Sequence, residues 1–176
     1  MPGPAVPIAD LMLRHDPAAR RCDLVVQDGD LALDRTAATA MLVSLGSDGR
    51  ARADDALPDE PSATPAADAA EPAALAPRRG WCGDALDRRG RRIGCRLWLL
   101  ERAKGGEQTR RRAEAYAAEG LDWLRAERGL ALALAVDWAR PGLLAITARA
   151  GTGPGAARIT IRRPVAAPAT AAEAGA

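Results

Sequence analysis

Apolar residues recur along this chain with two different periods, and the change of period organises it. Ala113, Tyr116, Ala117, Gly120, Leu121 and Leu124 stand at i, i+3, i+4, i+7, i+8 and i+11, the stripe of an amphipathic helix. The spacing predicts that helix over residues 107–127, with Trp123 beside the stripe. Gly120 inside it costs about 1 kcal/mol of propensity relative to Ala, which points to a close approach by a neighbouring segment, Leu97 to Leu100. Downstream the period becomes two. Leu130, Leu132, Leu134, Val136 and Trp138 alternate with Ala and Asp137, which predicts a strand. Pro141-Gly142 is a turn, Leu144, Ile146 and Ala148 form a second strand, and Gly151 to Gly155 a loop. In a third strand, ended by Pro164, Ile159 and Ile161 face one way and Thr160 and Arg162 the other.

Upstream, Ala38, Met41, Leu42 and Leu45 repeat at i, i+3, i+4 and i+7. They predict a short helix from Thr36 to Leu45, N-capped by Asp34 and stopped by Gly46 and Gly49. Leu24 to Gln27 and Leu31 to Leu33 flank Asp28-Gly29, a β-hairpin signal. Ile93, Leu97 and Leu100 mark one more helical stripe, widened by Trp98. Gly105-Gly106 ends it, with Arg102 and Lys104 in the last turn. The pattern as a whole predicts an α+β fold: an N-terminal β-hairpin, three helices and a small C-terminal antiparallel or mixed sheet.

The segments between are less regular. Residues 1–21 read as a flexible arm; Met1 to Pro7 carries three prolines, and Ile8 to Arg14 fits a short helix and a docking strand equally well. A single domain is expected over 22–164. It is interrupted at about 56–77 by a flexible Pro/Ala-rich insertion, chiefly Asp59 to Ala76, whose composition buries too little apolar area to order it. Residues 165–176 read as a disordered Ala-Pro tail.

Composition narrows the chemistry. The chain has 176 residues and a formal charge of +2, so it is not a polycation overall. Three cysteines (Cys22, Cys82, Cys95) without framework spacing argue for reduced thiols and synthesis in the cytoplasm. No secretion signal is recognised at the N-terminus, and no uncharged apolar run reaches membrane-spanning length. His15 is the sole histidine and sits near the expected arm, so a Ser-His-Asp or Cys-His arrangement is poorly served. Asp84 and Asp87 are a possible acid-base pair, but surrounding arginines would hold both ionised, and an Arg-carboxylate lattice ordering the loop accounts for them better. Cys82 and Cys95 lack a metal-binding spacing and are expected to pack as small hydrophobes. The Gln27 to Asp30 turn has too few acidic ligands for calcium, and a phosphate-binding Gly-Lys-Ser/Thr signature is missing. The expectation is a protein without catalytic, cofactor or metal residues.

Charge is concentrated between Arg78 and Arg112, where twelve basic residues face four acidic ones. A local excess of this size attracts phosphate, and a small Arg-rich nucleic-acid-binding or regulatory protein is the alternative reading. Aromatic interleaving is thin, however, and the Arg fork also serves protein interfaces. A protein interface ranks first, a solvated charged face second and nucleic acid third. Trp81, between Gly80 and Gly83, is either an interface anchor or a plug in the core of its own domain, and taken alone leans slightly to the plug. Trp98, Trp123 and Trp138 read as core.

The ordered set Asp-Leu…Asp-Gly-Asp-Leu, Asp-Asp-Ala-Leu-Pro, Arg-Arg-Gly-Trp-Cys-Gly-Asp, Arg-Ile-Gly-Cys-Arg-Leu-Trp-Leu-Leu, Arg-Arg-Ala-Glu-Ala-Tyr-Ala and Leu-Asp-Trp-Leu resembles the small baseplate wedge protein family of Mu-like contractile-tailed phages, relatives of the short wedge protein of contractile tails. The resemblance runs from about Cys22 to Pro164. It implies a structural component of a phage tail baseplate or tail-derived particle, present in several copies around a six-fold axis. Its implied partners are larger wedge proteins, hub and spike proteins and the first ring of the sheath, to which the sheet edge would be offered. No small-molecule substrate and no membrane are implied. The residues that match the family's motif, and so the expected contacts, are Arg79, Trp81, Asp84, Arg92 and Arg96. The edge strand Arg158, Ile159, Thr160, Ile161 and Arg162 is a second expected contact. The chain departs from the family pattern at Leu45 to Arg50, where an aromatic is expected near Gly46 and an arginine near Gly49. It departs again after Arg163, where an Ala-Pro tail replaces an aromatic-bearing end.

Overall fold

The computed structural model of the chain describes residues 9–16, 21–58, 78–88 and 90–166. The insertion expected from Asp59 to Ala76, the tail beyond residue 166 and the Met1 to Pro7 arm lie outside them.

The C-terminal sheet has the alternation that the sequence dictates. Strands β7 (Leu132–Arg140), β8 (Leu143–Ala150) and β9 (Ala157–Pro164) pair antiparallel in the order β7-β8-β9. Val136 opposes Ile146, which opposes Ile161, so one face is apolar across all three strands. Two helices cover it. Helix α1 (Ala38–Gly46) lies over β9, and α2 (Glu107–Ala126) over β7 and β8. Met41 and Leu45 of α1, Ala113, Ala117, Leu121 and Leu124 of α2, and Leu144 and Ile146 of β8 are fully enclosed. The result is a two-layer α/β core, in which Trp123 donates to Ser44 Oγ at 3.1 Å and ties the helices together. Asp34 holds the start of α1 from outside its first turn. Its carboxylate accepts the N–H groups of Thr36 and Thr39 at 2.8 and 2.7 Å and the Thr36 hydroxyl at 2.6 Å.

The third expected helix is a correction. Among the described residues there are two α-helices, and the stripe from Ile93 to Leu100 is a short 3₁₀ turn, η2 (Arg96–Leu100). The cause lies just before it. Gly94 takes a φ of +94°, and a Cβ there would lie 2.7 Å from Gly49 N. Cys95 N–H then donates to Ser47 O, and Gly49 N–H to Cys95 O. This extended bridge keeps Ile93 outside and delays helical geometry to Arg96. Leu97, Trp98, Leu99 and Leu100 are all buried, so η2 is enclosed on every side and no single stripe describes it. Gly120 does mark a close approach, though the neighbour is Gly94-Cys95: a Cβ on Gly120 would meet Cys95 Cβ at 2.7 Å.

The N-terminal hairpin at Asp28-Gly29 is present, as β4 (Val26–Gln27) and β5 (Asp30–Leu31). It is one arm of three. Strand β1 (Asp10–Leu11) pairs with β6 (Leu33–Asp34), and β2 (Leu13–Asp16) with β3 (Arg21–Leu24). The arms meet in a closed ring of backbone bonds: Met12 N–H to Ala32 O, Ala32 N–H to Val25 O and Val25 N–H to Met12 O, at 2.8, 2.9 and 3.0 Å. The described part of Ile8 to Arg14, open between helix and strand in the sequence, is therefore largely strand, in β1 and β2.

Candidate partner interface

The loop from Arg78 to Ile93 has little regular structure beyond a surface 3₁₀ turn, η1 (Cys82–Leu86), and side chains hold it in place. Arg79 is the first anchor. It takes a φ of +44°, a left-handed conformation that costs a non-glycine residue about 1 kcal/mol or more. Gly80 beside it has φ +100° and packs against Arg50. In return, the Arg79 guanidinium reaches Asp48 at 2.7 Å and Glu101 at 3.1 and 3.2 Å, and stacks 4.4 Å over the Trp98 ring. Trp98 in turn donates to Gly49 O at 2.8 Å. Asp48 also lies 3.7 Å from Arg163 of β9, so one carboxylate links loop and sheet.

Arg96 is the second anchor, and it is inside the molecule. It is 8% exposed, forms a two-oxygen contact with Asp55 at 2.8 Å, pairs with Glu119 of α2 and stacks 4.5 Å over Tyr116. Burial works against the Asp55 carboxylate, but hydrogen bonds from Arg96 and the Arg52 N–H outweigh it and hold its pKa below the usual range. Burial likewise opposes the charge of Arg96, and Glu119 and Asp55 overcome it and raise its pKa.

Asp84 and Asp87 serve the loop. Asp87 accepts from Arg91 at 2.8 Å, as an Arg-carboxylate lattice requires, but Asp84 is a correction: its Oδ1 accepts the Ile93 backbone N–H at 3.0 Å and no arginine pairs with it among the described residues. Arg91 continues to Glu127 past the end of α2. Arg110 and Arg111 on α2 pair with Glu107 and pull its carboxyl down to about 2. Part of the apparent excess of positive charge is therefore met by acids from elsewhere in the chain: Asp48, Asp55, Glu114, Glu119 and Glu127. Asp48, Asp55 and Glu119 were not identified from the sequence. The signal was the balance itself: a strongly basic stretch in a chain of net charge +2 requires acids outside the stretch.

Trp81 is not the plug of the core. It is 54% exposed, and its ring lies over buried Gly83, where a Cβ would meet it at 2.2 Å. The core slot nearest the loop is filled by Trp98, whose outer face Arg79 already covers. Cys82 is a second correction: it opens η1 at the surface and is exposed, whereas Cys95 is buried. Arg88 and Arg92 are exposed and have no partner among the described residues. On β9, Ile159 and Ile161 pack on the core, whereas Arg158, Thr160 and Arg162 face outward. Arg158 lines a shallow groove of about 380 Å³ on the outer sheet face with Ala133, Ala135, Thr147 and Arg149. Among the described residues no three His, Cys, Asp or Glu side chains converge as metal ligands, and no helix is long and apolar enough to cross a membrane.

Fold and surface together define a class: a small two-layer α+β module that presents a preordered arginine-rich loop and an open sheet face. The family model described as Phage protein GP46 matches residues 37–165, and the chain belongs to that family. It is 40% identical over 102 residues to baseplate protein gp46 of Escherichia phage Mu. That match covers 57% of this chain and 59% of the Mu protein. No solved structure matches the chain.

Proposed function

We propose that this protein is a structural wedge component of the tail baseplate of a contractile phage or tail-derived particle. It links hub and larger wedge proteins to the first sheath ring, in several copies around a six-fold axis. The family match over residues 37–165 carries the reading, because that span contains both candidate surfaces. One is the loop, with Trp81 and Arg92 as contacts and Arg79, Asp84 and Arg96 ordering it from within. The other is β9, through Arg158, Thr160 and Arg162 on its outer face and through its edge, unpaired among the described residues, with Ile159 and Ile161 setting its position on the core. An open edge accepts a strand from another chain, which suits a sheath subunit. The role is positional and includes no reaction, cofactor or membrane.

The test is capture of the tagged chain from cells producing the particle. Co-purification of the larger baseplate proteins and the sheath protein is expected. Trp81→Ala with Arg92→Ala should lose the former, and Arg158→Glu with Arg162→Glu the latter. Recovery of nucleic acid in place of those proteins would overturn the reading.

A further inference from the structure

The three-arm unit of residues 10–34 precedes the family match, which begins at residue 37, and the role proposed above does not use it. Its surface is unusual. Of the eight large apolar side chains exposed among the described residues, five lie here: Leu11, Leu24, Val26, Leu31 and Leu33. The other three, Trp81, Leu86 and Ile93, all lie on the arginine-rich loop. The two clusters carry opposite charge. Between residues 10 and 34 the sequence has six aspartates against three arginines. At the β4–β5 tip, Asp28 and Asp30 flank Val26 (68% exposed) and Leu31, and neither carboxylate has a cationic partner among the described residues. On the loop, Arg88 and Arg92 stand beside Leu86 (84% exposed) and Ile93, likewise without partners among the described residues, whereas Arg79, Arg91 and Arg96 are paired within the chain.

The clusters also lie at opposite ends of α1. The Leu13 N–H donates to Thr39 Oγ1 in its first turn, while Asp48, two residues past its end, holds Arg79. The nine residues of α1 separate the two anchor points by roughly 13 Å along its axis.

We propose that the partner of these two clusters is a second copy of this chain, which takes the same Trp81 and Arg92 that the larger baseplate proteins would contact, so that the two partners are alternatives on one loop. The β4–β5 tip of one copy seats Val26 and Leu31 against Trp81, Leu86 and Ile93 of the next, and Asp28 and Asp30 meet Arg88 and Arg92. The patches differ and are set apart on one molecule, so the contact is head-to-tail and repeats into a ring or an open array according to its rotation. A hairpin tip buries a small area, so the free chain associates weakly and the contact closes when copies are held close together. It rests on the baseplate reading only for that local concentration.

The experiment uses the purified full chain with Cys22→Ser and Gln27→Cys, cross-linked through the native exposed Cys82 by a short bismaleimide. A ladder of covalent multimers is expected on a denaturing gel. Asp28→Asn with Asp30→Arg should weaken association by about tenfold or more and remove the ladder, as should Arg88→Asp with Arg92→Asp. An equal mixture of the two reversed chains should restore it. All four positions are exposed, and Asn tolerates the positive φ of position 28 (+52°), so the melting temperature should not move. Unchanged cross-linking in either reversed chain, or a mixture that stays monomeric, would overturn the proposal. The tip-reversed chain should still capture the larger baseplate proteins. Loss of that capture in the unaltered chain would count against the baseplate role alone.

Discussion

Replacing Gly120 by alanine sets two effects of similar size against each other. Alanine in a helix interior stabilises by about 1 kcal/mol relative to glycine, and α2 surrounds Gly120 on both sides. The added Cβ, however, would lie 2.7 Å from Cys95 Cβ. That atom cannot swing aside as the end of a long side chain would. Cys95 is buried, donates its N–H to Ser47 O at 3.0 Å and accepts the Gly49 N–H at 2.8 Å. Forcing a methyl group into such a site costs about 1–3 kcal/mol. The contact term is the larger, and Gly120→Ala is expected to destabilise by about 1 kcal/mol, or 2–4 °C in a chain of this size. A thermodynamic cycle isolates the cause. Cys95→Gly removes the clashing carbon and leaves both backbone bonds. In that background the nearest remaining atom is Gly94 O at 3.4 Å, and Gly120→Ala should stabilise by about 1 kcal/mol. Urea unfolding of the four chains should then show a coupling of about 2 kcal/mol. If Gly120→Ala stabilises the unaltered chain, or the two changes simply add, tight approach is not the reason for the glycine.

Arg96→Met should lower stability by about 2–4 kcal/mol, because it leaves the mostly buried Asp55 carboxylate without its main partner, and Arg96→Lys should recover only part of that for want of the planar fork; denaturant midpoints decide, and a change below about 0.5 kcal/mol would sink the idea. Asp34 and Asp55 both have folded-state pKa values below the usual carboxylate value, burial opposing and hydrogen bonds prevailing in each. Their contribution is therefore complete above the unfolded value of about 4 and is lost as pH falls through the folded values. Stability followed by urea from neutral pH downward should drop below about pH 4, less steeply in the Asp34→Asn, Asp55→Asn chain, and an unchanged slope in that chain would refute the assignment. A thiol reagent should modify Cys22 and Cys82 in the native protein and reach Cys95 only on unfolding, since burial encloses that thiol and pushes its pKa up; native modification of Cys95 would contradict its placement.

Where one rule governed a segment, the sequence was readable. Helix α2 and the three C-terminal strands follow a strict period over many residues, and their buried positions are those the period names. The segment before η2 carries a similar stripe, yet Gly94 at positive φ and the bridge from Cys95 to Ser47 and Gly49 override it. Such a pairing joins positions far apart in sequence, and no local pattern reports it. The same holds for the ring of Met12, Val25 and Ala32. Its arms are two to four residues long, too short for alternation to show. For the candidate interface, the pairing of Asp87 with Arg91 was legible from the surrounding arginines, whereas the Ile93 backbone N–H that Asp84 takes was not. The exposure of Trp81 was not legible, because a lone Trp between two glycines fits an anchor and a plug alike, and only the fold shows the buried position beside Arg79 to belong to Trp98.

The placement of the arginines bears on how the loop would bind. A segment of this length without strands or long helices loses much conformational freedom when it is fixed, and a partner that had to order it would bind more weakly by that amount. Here part of that ordering is already present in the single chain: Arg79 fixes its start to Asp48 and Glu101, Arg96 just past its end pairs with Asp55 and Glu119, and Arg91 joins Asp87 to Glu127. Apart from the buried Arg96–Asp55 pair, these are exposed or half-exposed pairs, which contribute little to global stability one by one. Under the proposed role their effect falls instead on association, because they hold the backbone that carries Trp81 and Arg92 before any partner arrives. Loss of Arg91 should therefore leave the melting temperature nearly unchanged while weakening every contact the loop makes. A change that affected folding and binding in equal measure would show that the pair holds up the core and does not shape the surface.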